Sequence, residues 1–171
     1  ISGINTAPLS VDLDLALQRK QSQFQAGIFA LNKLTDGNVH ITYSEDTVSD
    51  TMLETKGAVH HTISGPHPAG NIGIQIHHIA PLNLKDIVWT LNAQDVVRIG
   101  TFLLTGELDI SNIITLAGPS IKKPAHFISR IGNEMESIVH ENLKDENFRL
   151  ISGDVLTGET TSLEDYSNFY D

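Results

Sequence analysis

The chain has 171 residues, 40% of them hydrophobic, no cysteine and a formal net charge of −10, a length that allows either one large domain or two small ones with packed cores. The missing thiols exclude disulfides, cysteine-ligated iron–sulfur clusters, thiolate zinc sites and cysteine nucleophiles, so any redox centre must be a bound organic cofactor. The charge repels phosphate backbones and anionic lipid on average, which argues against nucleic acid as a partner, and no apolar run approaches the roughly 20 residues that cross a bilayer.

The opening Ile1-Ser2-Gly3 reads as a strand entered in mid-protein, so an internal fragment of a longer protein is expected, with a short strand over Ile1 to Asn5. From Val11 to Thr35 the residues Leu13, Leu17, Phe24, Ile28, Leu31 and Leu34 recur at helical spacing and predict one core-facing amphipathic helix. Asp36-Gly37 predicts its stop, with glycine in a left-handed cap. Asn38 to Ser44 alternates Val39, Ile41 and Tyr43 with His40 and Thr42, the pattern of a half-buried strand with His40 on its polar face. Thr47 to Thr55 predicts a short helix capped by Ser49 or Asp50 and closed by Lys56-Gly57, and Ala58 to Ile63 predicts the next strand. Strands alternating with helices imply parallel pairing and an α/β layer architecture.

The run Ser64 to Gly73 then packs three glycines, two prolines and His67 between apolar segments, with His60-His61 before it and His77-His78 after it. Proline fixes φ and glycine opens conformations that other residues avoid, so the mixture encodes a defined bend. In α/β sheets ligands sit outside the carboxyl ends of strands, and this loop leaves a strand there. It matches neither the dinucleotide fingerprint G-x-G-x-x-G nor the phosphate-cradling G-x-x-x-x-G-K-[ST] pattern. Ile72, Ile76 and Ile79 favour a short helix ended before Pro81, although Ile72, Ile74 and Ile76 also fit a strand.

Ile87 to Leu91 is a continuous apolar run suited to a buried strand, and Asn92 offers an N-cap for a helix with the stripe Val96, Val97, Ile99, Gly100, Leu103 and Leu104, ending at Thr105-Gly106. From Ile113 short apolar runs alternate with turns: Ile113 to Leu116, Gly118-Pro119, then Ala125 to Ile131. Asn133 and Glu136 resemble a capping box for a helix through Val139, and Phe148 to Leu156 returns as a strand. Beyond Gly158 acidic residues dominate and an extended peripheral tail is expected.

Five segments in order resemble the A-subunit family of the bacterial Na⁺-translocating NADH:quinone oxidoreductase. They are Gly65-Pro-His-Pro-Ala-Gly70, Trp89-Thr-Leu-Asn-Ala-Gln-Asp-Val-Val-Arg-Ile-Gly100, Leu103-Leu-Thr-Gly-Glu-Leu108, Leu116-Ala-Gly-Pro119 and Ile151-Ser-Gly-Asp-Val-Leu-Thr-Gly158. The resemblance implies distant kinship with the FMN- and NADH-binding subunit of complex I and with the Rnf complex C subunit. It implies a Rossmann-like α/β domain over residues 1–111, a β-grasp SLBB-like α+β module over 112–157 and an acidic tail over 158–171. It further implies a peripheral subunit on the cytoplasmic side of the bacterial inner membrane, partnered by the other subunits of the complex and supporting NADH-to-quinone electron transfer coupled to Na⁺ transport. The flavin and nicotinamide loops of the complex I subunit are not reproduced, so no tightly bound flavin or iron–sulfur cluster is expected and quinone is the ligand to consider. Its candidate contacts are Gly65, Pro66, His67, Pro68, Ala69 and Gly70, with His77 and His78 as secondary candidates; catalytic residues and metal ligands are not assigned.

Three other readings compete. In the first, Pro66 and Pro68 merely hold a rigid turn for docking. The second is a metal or hydrolytic enzyme built on the eight histidines, opposed by the opposite facing of adjacent strand residues in His60-His61 and by the lack of H-E-x-x-H and G-x-S-x-G. The third is a stand-alone flavin-binding electron carrier.

Overall fold

The computed structural model describes residues 1–144 and 147–165. The chain divides into two compact units, Ile1–Thr6 with Asp12–Asp109, and Ala7–Val11 with Ile110 onward.

The first unit carries a three-stranded parallel sheet in the order β1 (Ser2–Gly3), β2 (His40–Ser44), β3 (Val59–Ile63), the parallel α/β arrangement expected from the strand–helix succession. Register is fixed by Ser2 opposite Thr42 and by His40 opposite Val59. Five helices accompany it: α1 (Leu13–Ala16), α2 (Gln21–Leu34), α3 (Asp50–Leu53), α4 (Ile72–Ile79) and α5 (Ala93–Thr105). Leu17, Phe24, Ile28, Val39, Ile41, Tyr43, Met52, Ala93, Val96 and Val97 form one buried core. The α5 ends form as predicted: the Asn92 side chain accepts from the Asp95 N–H at 2.8 Å, and Gly106 takes a left-handed φ of 76°.

Four local expectations are corrected. The helix over 11–35 is two helices, because Arg19 adopts a left-handed φ of 61° and breaks the helix between α1 and α2. Leu34, placed on the apolar stripe, is 80% exposed, since the last turn of α2 runs past the core. α2 ends at Thr35 in extended conformation, not in a left-handed glycine at Gly37. The apolar run Ile87 to Leu91 is no buried strand: Ile87 is 85% and Trp89 87% exposed, and only a single parallel bridge, Ser2 to Asn92, ties its end to the sheet.

In the second unit β4 (Ser111–Leu116) and β5 (Ala125–Arg130) pair antiparallel, Ile113 opposite Ile128, as the turn at Gly118-Pro119 predicts. Leu116, Ile121 and Val139 form its core, with Phe127, Ile138, Leu143, Leu150 and Leu163 packed around. The helix α6 (Met135–Val139) is not opened by a capping box. The Asn133 amide instead donates to the Ser129 hydroxyl at 3.2 Å, and the Met135 and Glu136 N–H groups donate to the carbonyls of Asp165 and Leu163. The stretch read as a tail therefore supplies the helix cap, and within it β7 (Glu159–Thr161) pairs antiparallel with β6 (Leu150–Ser152). Residues 166–171 of that stretch lie outside the described residues.

Candidate functional site

The loop after β3 is shaped by its own backbone. Gly65 sits at φ 122°, a conformation L side chains rarely adopt, and the His67–Pro68 peptide is cis. The Ala69 N–H donates to the Pro66 carbonyl at 3.0 Å and the Asn71 N–H to the Pro68 carbonyl at 2.9 Å, two turns in succession. The Ser64 hydroxyl donates to the Glu45 carboxylate at the loop's entrance.

Thr6, just past β1, ties the loop to the start of the chain. Its hydroxyl accepts from the Gly70 N–H at 2.8 Å and lies 3.3 Å from His67 Nδ1. The two lines pass so closely that a Cβ on Gly70 would stand 2.5 Å from the Thr6 nitrogen. Thr6 Oγ1, which accepts from Gly70, has both a proton and a second lone pair left for His67 Nδ1; when the hydroxyl donates, the neutral imidazole carries its proton on Nε2. Among the described residues none is hydrogen-bonded to His67 Nε2, so that edge of the ring is open to a ligand while Thr6 holds the other.

The floor of the loop is Gln75, 1% exposed although it stands on a helix of isoleucines. Its amide nitrogen donates to the Gly70 carbonyl at 3.0 Å, and its carbonyl accepts from the Thr42 hydroxyl at 2.7 Å. A buried polar chain thus runs from the loop backbone through α4 to the central strand, each member supplied with a partner, which is the condition for a polar group to be tolerated there.

The other histidines are held elsewhere. His60 Nε2 donates to the Thr55 carbonyl at 2.8 Å and Nδ1 accepts from the Tyr43 hydroxyl at 3.2 Å. On the opposite face of the sheet His61 Nε2 lies 2.9 Å from His40 Nδ1, the rings stacked with centroids 5.1 Å apart, so His40, on the face it shares with Thr42 as expected, is half of a histidine pair. His77 and His78 are exposed on the last turn of α4 and contact each other edge-on. The structure unites Gly65 to Gly70 around Thr6 and Gln75; it does not bring His77 or His78 to them by any hydrogen bond. Among the described residues no three His, Asp or Glu side chains are grouped to hold a metal ion, and no helix is long and apolar enough to cross a membrane.

Thr6, Thr42 and Gln75 were not legible as site residues. Gln75, one polar side chain inside Ile72-Gly-Ile-Gln-Ile-His-His-Ile79, carried the only signal.

Burial first, then repulsion from His40 and His60, holds His61 below the ordinary histidine value of 6.5. The unfolded chain therefore binds more protons between the lowered value and 6.5, so this contribution to stability is complete above 6.5 and is lost as pH falls through that window. The urea midpoint is expected to fall between about pH 7.5 and about pH 5.5, and to fall less in His61→Asn; equal falls in the two proteins would contradict the assignment.

Comparison with known proteins gives the family. A family model described as the NqrA second alpha/beta domain matches residues 1–108, and one described as the NQRA C-terminal domain matches residues 113–162. The A subunit of the Na(+)-translocating NADH-quinone reductase of Rhodopirellula baltica is 38% identical over 159 residues, covering 92% of this chain and 35% of that protein. Its counterpart from Serratia proteamaculans is 33% identical over 158 residues, and that from Vibrio campbellii 32% identical over 162 residues, covering 92% and 95% of this chain. The chain spans 35–36% of the length of these relatives. The likeness read from five segments of sequence is borne out: the chain belongs to the NqrA family, the A subunits of Na⁺-translocating NADH-quinone reductases.

Proposed function

We propose that the chain is part of a longer peripheral subunit of a Na⁺-translocating NADH:quinone oxidoreductase, on the cytoplasmic side of the bacterial inner membrane. There it supports electron transfer from NADH to quinone coupled to Na⁺ transport, with the other subunits of the complex as partners. The observation that carries this reading is the succession of two family models along one chain, at 1–108 and 113–162. On the same reading the parallel unit is a Rossmann-like domain akin to the flavoprotein subunit of complex I, and the second unit is a β-grasp SLBB-like module. The parallel sheet of β1, β2 and β3 supports the first assignment.

This part of the subunit holds no tightly bound flavin and no iron–sulfur cluster; its cysteine-free sequence and the lack of a G-x-G-x-x-G loop support this. Its part in the chemistry is positional. The Nε2–H of His67, oriented by Thr6, donates to a quinone carbonyl at the mouth of the Gly65–Gly70 turn, while Pro66, Pro68 and Ala69 shape the surface against the ring. His77 and His78 lie about 8 to 9 Å along α4 from its first residue Ile72, by the rise per residue of a helix, and are secondary contacts at most. Quinone binding by the full-length protein, unaltered and with His67→Ala, tests the assignment.

A further inference from the structure

Ile87-Val88-Trp89-Thr90-Leu91 has the composition of a strand buried on both faces, yet Ile87 and Trp89 stand almost fully exposed. Only its end meets the sheet: the Ser2 N–H donates to the Leu91 carbonyl at 2.8 Å, and Ser2 bridges Asn92 in parallel. On the other edge of β1, Ser2 stands opposite Thr42 of β2, and the Ile1 nitrogen donates to the His40 carbonyl at 2.7 Å. The line upstream of Ser2 is therefore flanked by β2 on one side and by the apolar run on the other.

We propose that in the full-length protein the residues directly preceding Ile1 extend β1 upstream, and that this strand recruits Ile87 to Leu91 as the fourth strand of the parallel sheet. The inference rests on the reading of the chain as part of a longer subunit; the matching family model is itself described as a second domain. The register fixes the pairing. Ser2 opposite Asn92 is an offset of 90, so the residue before Ile1 stands opposite Thr90 and the three before it opposite Trp89, Val88 and Ile87. In a parallel ladder bonds recur every second residue. The carbonyl of the residue before Ile1 then accepts from the Leu91 N–H, and that of the residue two places further upstream accepts from the Trp89 N–H. An apolar extended run needs such a ladder to satisfy its backbone, and a chain leaving the Ile1 nitrogen in strand conformation is already aligned to supply it. A separate protein or a lipid surface would have to enter along the line that the protein's own backbone takes.

Amide exchange in the isolated full-length protein, without quinone or other subunits, tests the proposal. The Trp89 and Leu91 amides are expected to exchange at least about tenfold more slowly than those of Val88 and Thr90, as ladder bonds require. Replacing the residue before Ile1 and the one two places upstream of it with proline, which removes the N–H groups that the same ladder directs at the Trp89 and Ile87 carbonyls and breaks a central strand, should abolish the difference while the α5 amides stay protected. Uniformly fast exchange across 87–91, or protection that survives the replacement, would overturn it. Should that variant not fold, hydroxyl-radical footprinting of the unaltered protein decides: Trp89 oxidised as fast as in denatured protein contradicts the strand, and a slow rate supports it. A natural chain with nothing before Ile1 would instead contradict the longer-subunit reading.

Discussion

Gly100→Ala is expected to destabilise the α/β unit by about 3 kcal/mol, although alanine in a helix interior gains about 1 kcal/mol over glycine by propensity alone. The sign is decided by the crossing of α2 and α5. A Cβ on Gly100 would stand 1.7 Å from the Gln23 carbonyl oxygen and 2.8 Å from the Gly27 nitrogen, and a Cβ on Gly27 would stand 2.3 Å from the Val96 carbonyl oxygen. These are backbone atoms and cannot rotate aside. The helices would have to separate, opening the contacts of Phe24, Ile28, Val96 and Val97 in the buried core. Gly73, on α4 with nothing within 4 Å of a built Cβ, is the control: Gly73→Ala is expected to gain about 0.5 kcal/mol. Urea unfolding followed by far-UV circular dichroism checks both, and a Gly100→Ala protein as stable as the parent would refute the close crossing.

Gln75→Leu is expected to cost about 2 kcal/mol, because it strips the half-buried Gly70 carbonyl of its amide donor and leaves the buried Thr42 hydroxyl only the longer bond to the Ile1 carbonyl, at 3.2 Å. Thr42→Val removes the same bond from the other side. Since the two substitutions break one shared interaction, the double variant should lose about 1 kcal/mol less than the sum of the singles. The Gln75 variants should also exchange the Ala69 and Asn71 amides faster, as the floor of the loop is gone. Strict additivity with unchanged exchange would show that the chain from Gly70 to Thr42 does not hold the loop.

The elements that sequence made legible are those whose reason is local. The Asn92 cap, the Gly106 stop and the turn at Gly118-Pro119 each follow from backbone chemistry within a few residues, and each is found in place; the strand over 40–44 also forms, but the half-buried alternation does not, since Thr42 is buried with Ile41 and Tyr43. The misses share a non-local cause. The apolar spacing from Leu13 to Leu34 runs on through the break at Arg19, because periodicity records which faces are buried and not whether the helix between them is continuous. Ile87 to Leu91 has strand composition, but a strand exists only with a neighbour for its backbone, and composition is blind to neighbours. At the α6 N-terminus a carbonyl pair from Leu163 and Asp165 took the place of the local Asn133 cap.

The candidate site divides the same way. Gly65, Pro66, His67, Pro68 and Gly70 announce a defined turn by type alone, and that turn forms. Its anchors do not announce themselves: Thr6 lies sixty-one positions from His67 and Thr42 thirty-three from Gln75, and neither has a composition that marks it. The adjacent pairs His60-His61 and His77-His78 look alike in sequence but part company in space, the first divided between two faces of the sheet and the second exposed at the end of α4.

The most direct measurement is the affinity of a water-soluble quinone for the full-length protein, unaltered and with His67→Ala. The account predicts a loss of about tenfold in the variant, the worth of one hydrogen bond to a ligand carbonyl, with the urea midpoint unchanged. An unchanged affinity, or no quinone binding by the unaltered protein, would contradict it and leave the Gly65–Gly70 turn as a docking surface.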